Sequence, residues 1–377
     1  MTPPPVPQTS AVAAEGRVPT AGEPCPCAPG RHGRACDGAA RQADGAPAPD
    51  APVPAARFWA WAELLRISAL FTVPGDALAG AAAAGRRPHR GTFLAVGTSL
   101  CLYHAGMALN DYADRDEDAV DRPHRPIPSG RITPAAALTA AGALTVAGLA
   151  LARRAGRAPL VAATALGATV WSYDLALKHT SAGPAAMASA RALDLLLGAT
   201  ATRPGAFAAA LPHAGVLGAH TYAVTSVSRH ETQGGSTAAP LAAVAVTAGI
   251  ATLTAGGADA LRSLRASRRS PGDAALPASA GRRAGVRARA ARRPVNPPRV
   301  VAALAAASYA RTALTPFLHA ALNPSPPLTQ RGVGAGIRAM IPLQAALAAR
   351  SGAGTTALAV LALGPLARRL ARKVSPT

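Results

Sequence analysis

The sequence predicts an all-α fold, a polytopic membrane helical bundle of about nine transmembrane helices, and three observations carry that prediction. Apolar runs of about 18 to 25 residues recur along the chain, the length that crosses a hydrocarbon core of roughly 30 Å. Half of the 377 residues are hydrophobic and only 15% are charged. The polar residues that remain inside this apolar frame collect where alternate runs end, and alternate helix ends lie on one face of a membrane.

The elements follow in order. Residues 1–55 are rich in Pro, Gly and Ala without periodicity, a composition that buries too little to fold, so a disordered tail is expected there. No short basic region followed by an apolar stretch marks a cleavable signal peptide. A transmembrane domain is expected over 56–373. Its first helix runs over about 58–85, with Trp59 and Trp61 as interfacial anchors and an interruption at Pro74 and Gly75. The second runs over 91–110. Further spans fall at 134–153, 159–177, 183–202, 206–228 and 238–261. An Arg-rich insert at 262–298 reads as disordered, a span follows at 299–320, and 333–371 forms a final pair or a broken span.

The densest polar stretch lies at 103–131, YHAGMALNDYADRDEDAVDRPHRPIPSGR. Asn110, Asp111, Asp114 and Asp118 are spaced by three and four, which places them on one face of a helix leaving an apolar run. Such a carboxylate face repels itself, and a hard divalent cation relieves the repulsion. Mg²⁺ takes one or two protein carboxylates together with phosphate oxygens, so a phosphate-bearing partner is implied. Arg122, Arg125 and Arg131 supply planar donors suited to phosphate, on a segment stiffened by Pro123, Pro126 and Pro128. A solvated charged loop is the plain alternative, but the run abuts membrane-length apolar segments on both sides. A calcium loop beginning at Asp114 fails, because Ala119 stands where it needs Gly and Arg125 where it needs Glu.

Two more polar clusters end the fourth and sixth helices. Tyr173, Asp174 and Lys178 in WSYDLALKHT are spaced to lie near one face, and an Asp in an apolar segment is costly unless it meets a cavity or a partner. After the sixth helix come Arg229, His230 and Glu231. Parity brings both clusters to the rim that carries the aspartates. Arg191 and Asp194 in ARALDLLLG are three apart and either pair with each other or contact substrate.

With these residues in view, the stretch from Asn110 to Gly130 resembles the first aspartate motif of the UbiA superfamily of intramembrane prenyltransferases. WSYDLALKHT, ARALDLLLG and IRAMIPLQAAL at 337–347 are similar to its EboC-like branch, so the resemblance covers roughly 58–372. It implies a UbiA-like fold and a multi-pass protein of the cell membrane with a cytoplasmic rim. The activity it implies is Mg²⁺-dependent transfer of an isoprenoid group from a prenyl diphosphate to an unidentified lipid-soluble or small-molecule acceptor. Asp111, Asp114, Arg122 and Lys178 are the expected catalytic residues. Substrate would be held by Asn110, Arg122, Arg125, Tyr173, Asp174, Lys178, Arg191 and Arg229, and metal by Asn110, Asp111, Asp114, Asp118 and Glu231. The sequence departs from the family where a second aspartate motif is expected, since Glu231 is the one carboxylate after the sixth helix. A non-catalytic UbiA-fold protein that binds or helps transport a lipid is the alternative.

The net charge of +21 and pI near 11.5 rest almost wholly on Arg. Nucleic acid is not the expected partner, because the arginines sit in short loops, the tail and the insert, and only 3% of residues are aromatic. Anionic lipid and diphosphate suit them better. Helix parity puts the Arg-rich insert opposite the aspartate rim, against the positive-inside tendency. Cys25, Cys27 and Cys36 have no well-spaced fourth ligand, and Cys101 reads as a small core residue.

Overall fold

The computed structural model describes residues 54–66, 72–256 and 297–374; most of the expected tail and most of the Arg-rich insert lie outside them. Among the described residues there are twelve α-helices. These are α1 (Pro54–Leu64), α2 (Val73–Ala83), α3 (Arg90–Ala113), α4 (Arg115–Asp121), α5 (Pro134–Ala155), α6 (Arg157–Ser172) and α7 (Gly183–Thr202), then α8 (Phe207–Ser228), α9 (Ala238–Thr254), α10 (Pro297–Leu322), α11 (Pro326–Arg350) and α12 (Gly354–Val374). A single π-helical turn, Tyr173–Leu177, extends α6. Five of these helices are long and apolar enough to cross a membrane: α3, α5, α6 with its π turn, α10 and α11.

Local chemistry sets the helix ends. The His89 side chain accepts from the Gly91 amide while the His89 amide donates to Thr92 Oγ1, closing the start of α3 on both sides. Thr133 accepts from the Ala136 amide, with Pro134 at the first position of α5. The turn from α5 to α6 passes through Gly156 at φ 138°, a conformation other residues rarely adopt.

The expected first span is corrected in one respect. It is two helices, α1 and α2, separated by residues 65–72, and Arg66 has a positive φ of 48°. The break comes before Pro74 because a proline lacks the amide that helix interiors use and therefore suits the first turn of α2. At the other end, 333–371 is a pair: α11 and α12 are joined at Ser351–Ala353.

Burial orders the layers. The spanning stretch of α11 is 83% buried inside the protein and that of α5 only 22%, so α11 is a central helix and α5 an outer one. Around α11, Leu195, Leu217, Tyr309, Phe317 and Leu343 form the main core. Much of the remaining packing is Ala on Ala, which brings backbones close and makes glycines decisive. A Cβ on Gly80 would lie 2.1 Å from the Leu195 carbonyl oxygen, and one on Gly198 2.4 Å from the Ala77 Cα. Close approach of small residues is how membrane helices gain contact when lipid offers no hydrophobic drive.

Gly198→Leu is expected to cost about 3 kcal/mol or more through overpacking against the α2 backbone, lowering the thermal midpoint of the detergent-purified protein. Gly142→Ala, where an added Cβ meets nothing within 4 Å, should leave the midpoint unchanged.

Candidate active site at the aspartate rim

The helix carrying Asn110 and Asp111 ends at Ala113, and Asp114 caps it at φ −90°, ψ 5° before α4 begins. The expected continuous face is therefore bent: Asp118 belongs to a separate short helix. The bend preserves the juxtaposition, because the Asp118 amide still donates to the Asp114 carbonyl at 2.8 Å.

Basic side chains hold the carboxylates. Asp111 is 4% exposed and Asp118 2%, and neither could remain charged there without a partner. Arg125 Nη1 lies 2.5 Å from Asp118 Oδ2 and 3.5 Å from Asp111 Oδ1. Arg122 reaches Asp118 Oδ1 at 3.5 Å. Lys178 donates to Asp114 Oδ1 across the gap from the π turn. Arg66, which the sequence reading missed, donates to Asp111 Oδ1 at 3.1 Å and approaches Asn110 Oδ1 at 3.4 Å. The signal was present: an arginine inside an apparent span requires an acidic partner.

The three polar clusters meet. Asn110 Nδ2 donates to Asp174 Oδ1 at 3.3 Å, and Arg229 donates to the Thr180 carbonyl. The π turn lets Lys178 continue the chain with its amide on the Tyr173 carbonyl, five residues back, at 2.9 Å. Asp174 is thereby buried toward Asn110 while Lys178 reaches Asp114; π turns of this kind concentrate at functional sites. Tyr173 lies within electrostatic reach of Asp174, Asp114 and Arg229. Glu231 shares the rim, where burial pushes its carboxyl above the usual range against the pull of Arg122. Arg131 sits further out, paired with Glu63 at 2.7 Å, and so fastens the RPIPSG segment to α1.

Arg191 is placed elsewhere. Of the two readings for Arg191, pairing is found, but with Asp76 in place of Asp194: Arg191 Nη1 lies 2.5 Å from Asp76 Oδ2, and Nη2 donates to Thr72 Oγ1 at 3.3 Å. Asp194 instead accepts from Ser99. The reason is the broken first span, which turns α2 so that Asp76 is fully buried against α7.

The donor set suits a hard cation. Asp111 Oδ2, Asp114 Oδ2 and Asp174 Oδ2 have no hydrogen-bond or ion-pair partner among the described residues, since Asp111 and Asp114 bind their basic neighbours, and Asp174 the Asn110 amide, through Oδ1. Carboxylate oxygens are the preferred ligands of Mg²⁺. Asp118 offers no free oxygen, with Oδ1 on Arg122 and Oδ2 on Arg125. Beside this set, ligand atoms of Asp114, Glu117 and His179 lie within 4.8 Å of one another.

These features define a helical integral-membrane protein whose polar rim of carboxylates and guanidinium groups closes one end of an apolar bundle. Residues 70–256 match the UbiA prenyltransferase family and form a domain of that family. It is 36% identical over 114 residues to digeranylgeranylglyceryl phosphate synthase of Methanopyrus kandleri, an alignment that covers 30% of this chain and 40% of that one. To the protein of the same name from Korarchaeum cryptofilum it is 39% identical over 98 residues, covering 26% and 35%. The chain thus spans 40% or less of these curated relatives. The apo structure of a UbiA homologue from Aeropyrum pernix K1 superposes with a TM-score of 0.52 at 15% identity, covering 76% of this chain and 96% of that one. A structure concerned with digeranylgeranylglyceryl phosphate synthase in membranes gives 0.51 at 14%, covering 78% and 98%. At such identities the likeness is one of fold.

Arg125→Ala should destabilise the rim by about 2 kcal/mol, less than the loss of a sole partner, because Arg66 and Arg122 remain. Adding Asp118→Asn in that background should recover part of the lost thermal midpoint. A double variant less stable than Arg125→Ala would show that Arg125 does not serve as the counter-charge of Asp118.

Proposed function

We propose that this protein is an intramembrane prenyltransferase that moves an isoprenoid group from a prenyl diphosphate to an acceptor. The observation that carries the reading is the rim itself, where carboxylates with free oxygens and four basic side chains share one end of an apolar bundle. A scaffold has no physical need for that combination.

Each rim residue has a role in this reading. Asn110, Asp111 and Asp114, with Asp174 beside them, would hold Mg²⁺, and the bound cation would supply charge neutralisation for the departing diphosphate. Arg66, Arg122, Arg125 and Lys178 exchange carboxylate partners for diphosphate oxygens as substrate enters, and so stabilise the charge that develops when the bond from carbon to oxygen breaks. Asp118 positions Arg122 and Arg125. Tyr173 and Arg229 line the outer edge near Lys178, and Glu231 stands beside Arg122. The carbon left behind is cationic and allylic; the apolar helices around it exclude water, and the acceptor attacks and gives up a proton. Because relatives bear the name digeranylgeranylglyceryl phosphate synthase, we include a glyceryl phosphate compound among the acceptors to test. The cell membrane and a cytoplasmic rim belong to the same proposal.

The test is consumption of radiolabelled prenyl diphosphates by the full-length protein with a membrane lipid extract as acceptor pool. Label should enter a new lipid, and chelation should abolish the transfer. Asp111→Ala and Asp114→Ala should each lower turnover by at least about a hundredfold, the scale of losing a main electrostatic stabiliser, while the protein stays folded in the membrane. An undiminished rate in either variant removes the metal assignment, and diphosphate binding without turnover would favour a lipid-binding role.

A further inference from the structure

The rim gathers carboxylates, and the far end of the bundle is purely basic. Helix α3 begins at Arg90 and ends at the rim with Ala113, so the two ends lie about 36 Å apart at 1.5 Å per residue. Among the described residues every Asp and Glu belongs to the rim, to the segments beside it, or to a deeper cluster in which Asp76 meets Arg191 and Asp194 meets Ser99. The far end instead carries Arg86, Arg87 and Arg90 where α2 turns into α3, and Arg153, Arg154 and Arg157 where α5 turns into α6, all of them exposed. An uncompensated cationic face on a membrane bundle attracts anionic headgroups.

Attraction alone makes no site, but this end also holds a cavity. It measures about 500 Å³ and opens between the α2–α3 turn, the start of α10 and the turn from α11 into α12, a size typical of ligand pockets. Three kinds of donor line it and no carboxylate does. The side chains of Arg86 and Arg87 have no hydrogen-bond or ion-pair partner among the described residues. The first helical bond of α12 runs from the Ala357 amide to the Ala353 carbonyl at 3.0 Å, so the amides of Gly354, Thr355 and Thr356 stand ahead of it without a helical acceptor. Thr356 is only 7% exposed, yet its hydroxyl makes no hydrogen bond among the described residues. A buried hydroxyl without a partner is costly, and this one lines the cavity, where a ligand oxygen would satisfy it.

The lining selects the ligand. Guanidinium groups, helix-terminal amides and a hydroxyl on one side suit the oxygens of a phosphate. On the other side Val301 and Leu358 are apolar, and Leu358 is 56% exposed, so the cavity reaches the outer surface of the bundle. A phosphate head with an apolar chain matches both sides. We propose that this cavity is a lipid site: the phosphate of an anionic phospholipid sits on Arg86, Arg87 and the first turn of α12, and its acyl chains pass Val301 and Leu358 into the bilayer. The site lies at the opposite end from the rim and does not rest on the prenyl-transfer reading.

The test measures retention of radiolabelled dioleoyl phosphatidic acid from mixed micelles by the full-length detergent-purified protein. Retention should saturate, and dioleoyl phosphatidylcholine should not displace the label. Arg86→Gln together with Arg87→Gln should weaken binding at least about thirtyfold, the loss of two charged donors, and Thr356→Val about fivefold, each at an unchanged thermal midpoint without lipid. Arg153→Gln together with Arg154→Gln, on the same face but outside the cavity, should keep wild-type affinity, as should Arg122→Gln at the rim. Equal weakening in either control would assign the lipid to diffuse charge or to the rim and overturn the site, and so would wild-type affinity in the Arg86 and Arg87 double variant. Displacement by inorganic phosphate as effective as by unlabelled phosphatidic acid would overturn the lipid assignment in favour of a free anion. Prenyl diphosphate binding, measured in parallel, should be unchanged in that double variant. Its absence from the wild type, with the phosphatidic acid pattern intact, would refute the transferase reading and spare this site.

Discussion

Neutralising buried carboxylates is the constraint on which this structure depends. Asp111, Asp118, Asp174, Asp76 and Asp194 are all buried in a protein whose surroundings are apolar, and an unpaired charge there costs several kcal/mol. Every one of them has a polar partner contributed by a different segment. Asp111 is met by Arg66 from the break after α1, Asp118 by Arg125 from the loop after α4, Asp174 by Asn110 from α3, Asp76 by Arg191 from α7 and Asp194 by Ser99 from α3. The irregular backbone of the bundle sits at these points, and the regular helices hold it in place.

The same arrangement explains how a static set of ion pairs is ready for an anionic substrate. Four basic groups wait on carboxylates whose second oxygens are partly free, and in the function we propose a diphosphate and its cation would enter by exchanging partners with them. Little side-chain ordering is then left to be done on binding, which is the advantage of a preorganised site. The deeper cluster differs in kind: its one arginine is already paired with Asp76, and Gln344 and Ser99 complete the partners of Asp76 and Asp194.

Much of the fold was legible in the sequence because a bilayer imposes its length on every span. The spans at 134–153, 159–177, 183–202 and 206–228 correspond to α5 through α8 within a few residues. Parity was enough to bring the Asn110–Asp118 stretch and the Asp174–Lys178 stretch together, and the structure joins them through Asn110 with Asp174 and Asp114 with Lys178. What could not be read was local departure from regular helix. The break before α2, the bend at Asp114 and the π turn at Tyr173 arise where polar side chains gain partners by giving up helical geometry. Spacing rules assume a continuous helix, so Asp118 was placed on a shared face, and they see one segment at a time, so Asp194 was the one aspartate they could offer Arg191.

The sequence by itself determined the class of the protein. Apolar length, the Asn110–Gly130 motif and the alternation of polar ends specify a membrane bundle with one carboxylate rim, since each is a local property of the chain. Only the tertiary structure decided which charges meet. Arg66 with Asp111 and Arg191 with Asp76 join residues 45 and 115 positions apart. Such pairings depend on how α2 turns after its break and how closely glycines let it approach α7, and no spacing within one segment encodes either.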